Sequence, residues 1–579
     1  MKYKKTFLFL AMIVAGLFIA SCGDDDDEDA LTILFWQAPT ISNPYLASGT
    51  KDVDISALVL EPLANYDEEG ELVPRLAEEI PTVENGGVSE DMTTITWKLK
   101  EGVLWSDGTP LTVEDIIFTH RYLCSLASAN DVCNTVPLGN VGPVEDSPLS
   151  VRITFTETVI YPYVLFVGTS SPVLQKAQFA DCVGEQAARE CQMENLHPVG
   201  TGPYRITDFT VNESESGAVS SSLAYEKNEH FRAAGKLFSR VVVKGGGDAV
   251  TAARAVLETG EADYGWNMQV EPGTLRNLED GGKGMVSPAF ASLVESLVIN
   301  FTDPDPDLGD GRSEWSGGNN PHPFLTDPAV REALSLAIDR RAIVEQLYGA
   351  AGRVTCNIIP APVRYASRNN EDCRTPNTQK AKSLLDEAGW MPGADGIREK
   401  DGIRLEILYR TSANNAVRQS TQEFIQKWWK DIGVETDIAN NIDPGTFFSD
   451  GPDNPDNVWR FYADIQMYAD SGASVDPQNH LSNWQTKEIP SAENGWMGGN
   501  VPRWSSRQYD DLYRQLVGAP IGPDRENLVI RMNDMLVQNH VIIPLVNRAS
   551  VSAFSNSLKG VRANNWDSEL WNIHEWYRE

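Results

Sequence analysis

Ile403-Arg404-Leu405-Glu406-Ile407, then the span from about Ala413 to Ile432, then Gly433-Val434-Glu435-Thr436-Asp437-Ile438: the reading of these three consecutive segments decides the fold class. In the first, Ile403, Leu405 and Ile407 alternate with Arg404 and Glu406, the period of a strand. The second reads as a helix that Gly433 stops. In the third, Val434, Thr436 and Ile438 resume the alternation. Strand, helix and strand in that order form a βαβ unit, whose crossover should be right-handed and whose strands should run parallel. A third strand is expected from Val458 to about Ala469. The chain is therefore read as α/β.

Upstream, helices announce themselves by their caps. Asp327-Pro328 sets a cap before an N1 proline, and Val330, Leu334 and Ile338 form one apolar face. Asp339 is expected to restart the helix with Ile343, Val344 and Leu347 inward. Asn377 caps a further helix with a stripe of Ala381, Leu384, Leu385 and Ala388, ended by Gly389. From Leu31 to about Phe209 the reading is mostly short strands and turns. Thr94-Ile95-Thr96-Trp97-Lys98-Leu99 alternates as a half-exposed strand. Trp105-Ser106-Asp107-Gly108-Thr109-Pro110 is a turn, after which Thr112 or Glu114 opens a helix through Ile116, Ile117 and Tyr122. Gly245-Gly246-Gly247 lacks the lysine-serine pair of a phosphate loop and is a turn.

A chain of 579 residues exceeds what one hydrophobic core organises, so two or more lobes are expected. The formal net charge of −34 repels polyphosphate and argues against nucleic acid as a partner. Solubility or salt tolerance accounts for most such acidity, and attraction of cationic ligands for a smaller share.

The amino terminus reads as an export signal. Lys2, Lys4 and Lys5 precede an apolar stretch from Thr6 to Ala20, shorter than the roughly 20 residues of a membrane span. Ile19-Ala20-Ser21-Cys22 resembles the lipobox of bacterial lipoproteins, which implies cleavage before Cys22 and a diacylglyceryl group on its sulfur; a plain secretory signal with a chance cysteine is the alternative. The acidic run Asp24–Asp29 stays extended as a tether. Six cysteines remain: Cys124, Cys133, Cys182, Cys191, Cys356 and Cys373. They allow fifteen pairings, of which sequence proximity favours 124–133, 182–191 and 356–373 in an oxidising compartment, with free buried thiols as the alternative. None has zinc or redox CxxC spacing.

One carboxylate stands out. Ligands of open α/β sheets collect beyond the carboxyl ends of the strands, and Asp470, in Met467-Tyr468-Ala469-Asp470-Ser471-Gly472, is expected just past such an end. A solvated loop aspartate or a local cap is the plainer reading.

Six motifs in order extend the picture over nearly all of the mature chain. They are Leu60-Glu61-Pro62-Leu63 with Leu72–Ala77, the stretch Trp97–Asp115, Gly200-Thr201-Gly202-Pro203-Tyr204, Glu258–Asp263, Asp327–Arg340, and Lys380–Gly389. In these the sequence resembles the family 5 solute-binding proteins of ABC importers, which bind oligopeptides, dipeptides and related solutes. The resemblance implies a two-lobed, periplasmic-binding-protein-like α/β fold (type II, large peptide-binder variant), with mixed sheets and a hinge of two crossing strands. It implies a signal peptide at 1–21, a lipidated Cys22 and tether at 22–30, and lobe I at 31–298 with an insertion at roughly 66–200. Lobe II then spans 299–540, and 541–579 returns to lobe I. The crossings are expected near Val298-Ile299-Asn300 and Ile542-Ile543-Pro544-Leu545.

Carried over residue by residue, the resemblance makes Asp470 the partner of a peptide's free α-amino group. Peptide binders of the family often place tryptophan three residues earlier, where this chain has Met467, followed by Tyr468. Asn43, Pro44 and Tyr45 fall in a loop that lines the family's cleft, Trp266 and Asn267 are further cleft candidates, and Trp36 is expected to pack. The implied partners are a peptide or other small polar solute, ABC permease subunits with their cytoplasmic ATPases, and a membrane reached through the lipid anchor. A monomer on the outer face of the plasma membrane, periplasmic if an outer membrane exists, completes the expectation. No cofactor, metal or catalysis is expected. Three rival readings stand beside it. An oligosaccharide receptor could use the 15 tryptophans for stacking. A metal or haem carrier finds no close spacing among His120, His197, His230, His322, His480, His540 and His574. A secreted hydrolase finds no Gly-x-Ser-x-Gly or HExxH.

Overall fold

The computed structural model describes residues 29–579 apart from 48, 127–136, 185, 215–218, 234–235, 316, 414, 443–446, 449–454 and 472–474. The expected signal peptide, Cys22, most of the tether and Cys133 lie outside the described residues. Among the described residues no helix is long and apolar enough to cross a membrane.

The principal sheet takes β1 (Ala30–Phe35), β2 (Tyr204–Glu213), β3 (Val219–Lys227), β4 (Arg240–Gly245), β5 (Tyr264–Trp266), β6 (Gly284–Ile299), β7 (Gly352–Val354), β8 (Glu406–Ser412), β9 (Glu435–Ile442), β10 (Ile465–Ser471) and β11 (Ile542–Ser555). Their spatial order is β9-β8-β10-β6-β11-β5-β1-β4-β3-β2, with β7 added on β11. One ladder thus runs through the whole molecule, and its middle is the long antiparallel pair β6 and β11.

Separate cores lie on either side of that pair. Leu31, Ile33 and Phe35 pack with Tyr204, Leu223, Val241 and the carboxy-terminal Leu570, Ile573 and Trp576. Ile407, Tyr409, Ile425, Trp429 and Val434 pack with Leu334, Leu385, Ile543 and Leu545, and Tyr509, Val529 and Met532 cover the other face of the same half. Full burial of each such side chain stabilises by about 1.5–3 kcal/mol before conformational entropy is subtracted. A third cluster, built on Ile95, Trp97, Ile116, Val151 and Leu165, belongs to a three-stranded antiparallel sheet within the first half.

The βαβ unit forms as the alternation requires. β8 and β9 are parallel, Ile407 opposite Thr436, with the helix Ala416–Asp431 between them. Asn415 caps that helix by accepting from the Arg418 amide at 3.0 Å. Thr112, not Glu114, opens the helix Val113–Ser125, and the Asp115 carboxylate accepts from the Thr112 amide at 2.9 Å. Asp327 and Asn377 cap their helices as expected, while the turn after Asp339 is helical only to Ile343 and then widens.

The third strand departs from expectation at both ends. It begins at Ile465, because the Trp459 and Arg460 carbonyls are taken by the Arg503 guanidinium and Phe461 sits at φ 50°. It ends at Ser471, which puts Asp470 inside the strand opposite Val294 of β6 rather than past the strand end. Disulfides join Cys182 to Cys191 and Cys356 to Cys373, and Cys124 is also disulfide-bonded. Gly200 and Gly202 are there for close approach: a Cβ would stand 1.8 and 2.6 Å from the Val59 carbonyl oxygen.

Candidate ligand-binding site

The pair β6/β11 carries a break in its register, and the site is built around it. Phe290 faces Ala549 and Val294 faces Asn547, so Ala291, Ser292 and Leu293 together oppose Arg548 alone. Such a bulge leaves backbone groups without ladder partners. Asn547 supplies them: its buried carboxamide donates to the Ala291 carbonyl at 2.7 Å and the Leu293 carbonyl at 3.0 Å, and accepts from Arg353 Nε at 2.7 Å.

A cavity opens on each side of this bulge. The first, about 660 Å³, has walls from Thr50, Asp54, Trp266, Asn267, Trp566 and Glu569 with Ala291–Leu293 and Val475. The second, about 630 Å³, has walls from Asn267, Glu271, Glu295, Tyr348, Val417 and Arg548. Asn267, Leu293 and Ser550 line both, so the two adjoin. Each is within the usual range for a small-molecule site.

The first cavity is acidic. Asp54 lies on the short helix Thr50–Ser56 and accepts from the Trp266 indole at 2.6 Å. Glu569 accepts from the Tyr264 hydroxyl at 2.8 Å and from the Ser552 hydroxyl. Burial pushes both carboxyls above the ordinary range; the Asp54 charge raises Glu569 further, and the Asp567 charge raises Asp54. Asp567 is differently placed, because the amides of Tyr66, Thr169 and Ser568 and the Asn65 carboxamide all donate to it.

The second cavity is built on Glu295 of β6. Arg418, from the first turn of its helix, reaches one carboxylate oxygen at 2.6 Å, and Arg548 reaches the other at 3.2 Å.

The expected site residues distribute unevenly. Trp266 and Asn267 line the first cavity, and Asn267 lines the second as well. Trp266 stacks on Phe35 at 4.7 Å between ring centroids. Asn267 takes a left-handed φ of 45°, a conformation asparagine tolerates, and its carbonyl accepts from the Trp36 indole at 2.8 Å. Asn43 is fully buried and bonds Tyr122 and Asn195, while the Tyr45 hydroxyl donates to the Pro172 carbonyl; both hold the first core together. Tyr468 sits beside Phe448, and burial pushes its hydroxyl up. Asp470 is partly exposed, with His480 Nδ1 3.9 Å from its carboxylate, and lines neither cavity. The sequence reading missed Asp54, Glu295, Arg418, Arg548 and Glu569. The one visible signal was the polar run Asn564–Glu569 around Trp566, close to the chain end yet interrupted by a large aromatic.

Among the described residues the one group with metal-ligand geometry is Cys182, Cys191 and Glu194, whose thiols are joined in a disulfide and hold no ion.

Residues 71–491 match the profile of bacterial extracellular solute-binding proteins, family 5 Middle. The glutathione-binding protein GsiB of Escherichia coli (strain K12) is 24% identical over 565 residues, covering 95% of each chain. The oligopeptide-binding protein AppA of Bacillus subtilis is 24% identical over 459 residues, covering 75% of this chain and 76% of its own. In fold, the structure of a nickel ABC transporter protein from Bacillus halodurans superposes with a TM-score of 0.72 at 19% identity, over 93% of this chain and 98% of the other.

Proposed function

We propose that this chain, which belongs to the bacterial extracellular solute-binding proteins of family 5, captures a peptide between its two lobes. It then hands the peptide intact to an ABC permease driven by cytoplasmic ATPases. The observation that carries this reading is the pair of adjoining cavities at the β6/β11 bulge, walled by segments from both halves of the chain. Two relatives similar over most of their length are named for binding glutathione and oligopeptides. Closing two lobes over a guest requires only that the guest bind the closed state better than the open one.

In this reading lobe I comprises the amino-terminal half with its insertion and the carboxy-terminal segment, and lobe II the residues between. The crossings fall near Val298-Ile299-Asn300 and Ile542-Ile543-Pro544-Leu545, where Val298 pairs with Ile542 in the long β6/β11 ladder. Cys22 carries the lipid that holds the monomer at the outer face of the plasma membrane. Asp470 stands outside the cavities and engages a peptide's α-amino group as the lobes close. An oligosaccharide fits less well, because one face of Trp266 is already spent on Phe35 and its indole N–H on Asp54.

The test is a thermal-shift screen of peptides, oligosaccharides and metal complexes. A ligand at a hundredfold excess over its Kd stabilises by about 2.7 kcal/mol. A peptide should shift the transition, and the shift should fall when its amino terminus is acetylated or in Asp470→Asn. Equal binding of the acetylated peptide removes Asp470 from that role. Stabilisation by oligosaccharides alone overturns the peptide reading.

A further inference from the structure

Three buried carboxylates of the chain have arginine partners and, among the described residues, the two that face the first cavity do not. Glu61, 2% exposed, is matched by Arg232 at 2.6 Å and Arg75 at 3.5 Å. Glu295, 1% exposed, has Arg418 and Arg548. Asp476 receives two guanidinium hydrogen bonds from Arg525, both 2.8 Å. Asp54 and Glu569, 8% and 9% exposed, receive none. Among the described residues no cationic side chain pairs with either, and no lysine, arginine or histidine lines the cavity they face.

That difference has a physical meaning. A buried carboxylate without a counter-charge costs several kcal/mol, which a neighbouring cation or a bound proton offsets. Arginine is supplied to Glu61, Glu295 and Asp476, whereas Asp115 and Asp534, also buried and without a cation among the described residues, are satisfied by amide and hydroxyl donors and line neither cavity. In the first cavity the chain supplies only neutral donors, Trp266, Ser568 and the Glu569 amide to Asp54 and Tyr264, Ser552 and the Asn267 amide to Glu569, which fix the direction of the two carboxylates without neutralising them. Asp567 is more fully satisfied, by three backbone amides and the Asn65 carboxamide. Trp266 and Trp566 line the same space, and an aromatic ring is the other group that attracts a cation.

We propose that Asp54 and Glu569 form a subsite, within the first cavity, for a cationic side-chain group of the ligand: the ammonium of a lysine or the guanidinium of an arginine. The proposal rests on the peptide-capture reading and narrows it to basic peptides. It also separates two recognition events, the side-chain cation at Asp54 and Glu569 and the α-amino group at Asp470, which lines neither cavity. The counter-charge that Glu61 and Glu295 receive from this chain is, at Asp54 and Glu569, delivered by the guest.

The experiment measures the affinity of the full chain for trilysine, trialanine and cadaverine, in the wild type, in Glu569→Gln and in Asp54→Asn. Glu569→Gln keeps the size of the side chain and an oxygen to accept from Tyr264 and Ser552, so it guards against a folding defect in Asp54→Asn. The expected result is trilysine binding at least about tenfold tighter than trialanine in the wild type. That ratio should fall to about twofold or less in either variant while trialanine binding persists. Trialanine binding with no preference for trilysine, or a preference that survives in both variants, overturns the subsite and leaves peptide capture standing. Cadaverine bound without either peptide, and lost in the variants, overturns peptide capture and leaves the cation subsite. No binding of any of the three overturns both.

Discussion

Replacing Asn547 by alanine tests whether the bulge between β6 and β11 is held by one side chain. The carboxamide is fully buried and makes three hydrogen bonds, two to the Ala291 and Leu293 carbonyls and one from Arg353. The truncation removes three bonds worth about 1 kcal/mol net apiece. It also leaves two carbonyls at a buried bulge without donors, at about 1–3 kcal/mol each if no water reaches them. Because the two cavities adjoin this position, water will satisfy part of that demand, and about 3 kcal/mol of destabilisation is expected. Urea unfolding followed by circular dichroism reads the change as a lower midpoint at unchanged slope. Asn547→Asp is the sharper companion, since it keeps the acceptor for Arg353 while turning a carboxylate toward two carbonyl oxygens. It should lose at least as much as alanine. An Asn547→Ala protein within about 0.5 kcal/mol of the wild type would refute the claim that this side chain holds the bulge.

Further expectations follow from other contacts. Asp54 and Glu569 hold their protons more tightly folded than unfolded. Their contribution is therefore complete below the ordinary carboxyl range, about pH 4, and is lost as pH rises through their raised values. Glu569→Gln should flatten that slope, becoming more stable relative to the wild type from pH 4 toward neutrality; parallel stability curves for the two proteins would count against it. Asp476→Asn halves a buried pair with Arg525 and should cost about 3–5 kcal/mol in a denaturant titration; a cost under 1 kcal/mol would mean water reaches the guanidinium. Gly200→Ala places a methyl 1.8 Å from the Val59 carbonyl oxygen and should lower the melting temperature or abolish folding; an unchanged melting temperature would show that this contact yields.

What could be read from the amino acids depended on how many faces an element buries. β8 and β9 and the helices capped by Asp327 and Asn377 each bury one face, so period and cap were visible in the sequence. β6 buries most of its carboxyl half on both faces and carries Pro288 and a bulge, so no alternation marks it and its length went unread. The site suffered more. Asp54 and Glu569 are brought to one cavity by the return of the chain end to the first core, and Glu295 and Arg418 meet across two strands and a helix. No local pattern encodes those meetings. Trp266 and Asn267 were accessible to reasoning because they end a strand. Asn43 and Tyr45, polar residues in a loop, turned out to be satisfied inside the first core by Tyr122, Asn195 and Pro172.

The β6/β11 ladder is interrupted at Ala291–Leu293 and shifted again between Glu295 and Ser296, with regular pairing beyond, and this constrains how the two halves can move. Strips of paired strand resist sliding, since a slip of one residue would turn every side chain to the opposite face. Strain during any swing therefore gathers in the short stretch from Ala291 to Ser296 that holds both shifts, as in a stiff ruler scored along one narrow band. Amide protons in that band should exchange with solvent well ahead of those a few positions away on either side.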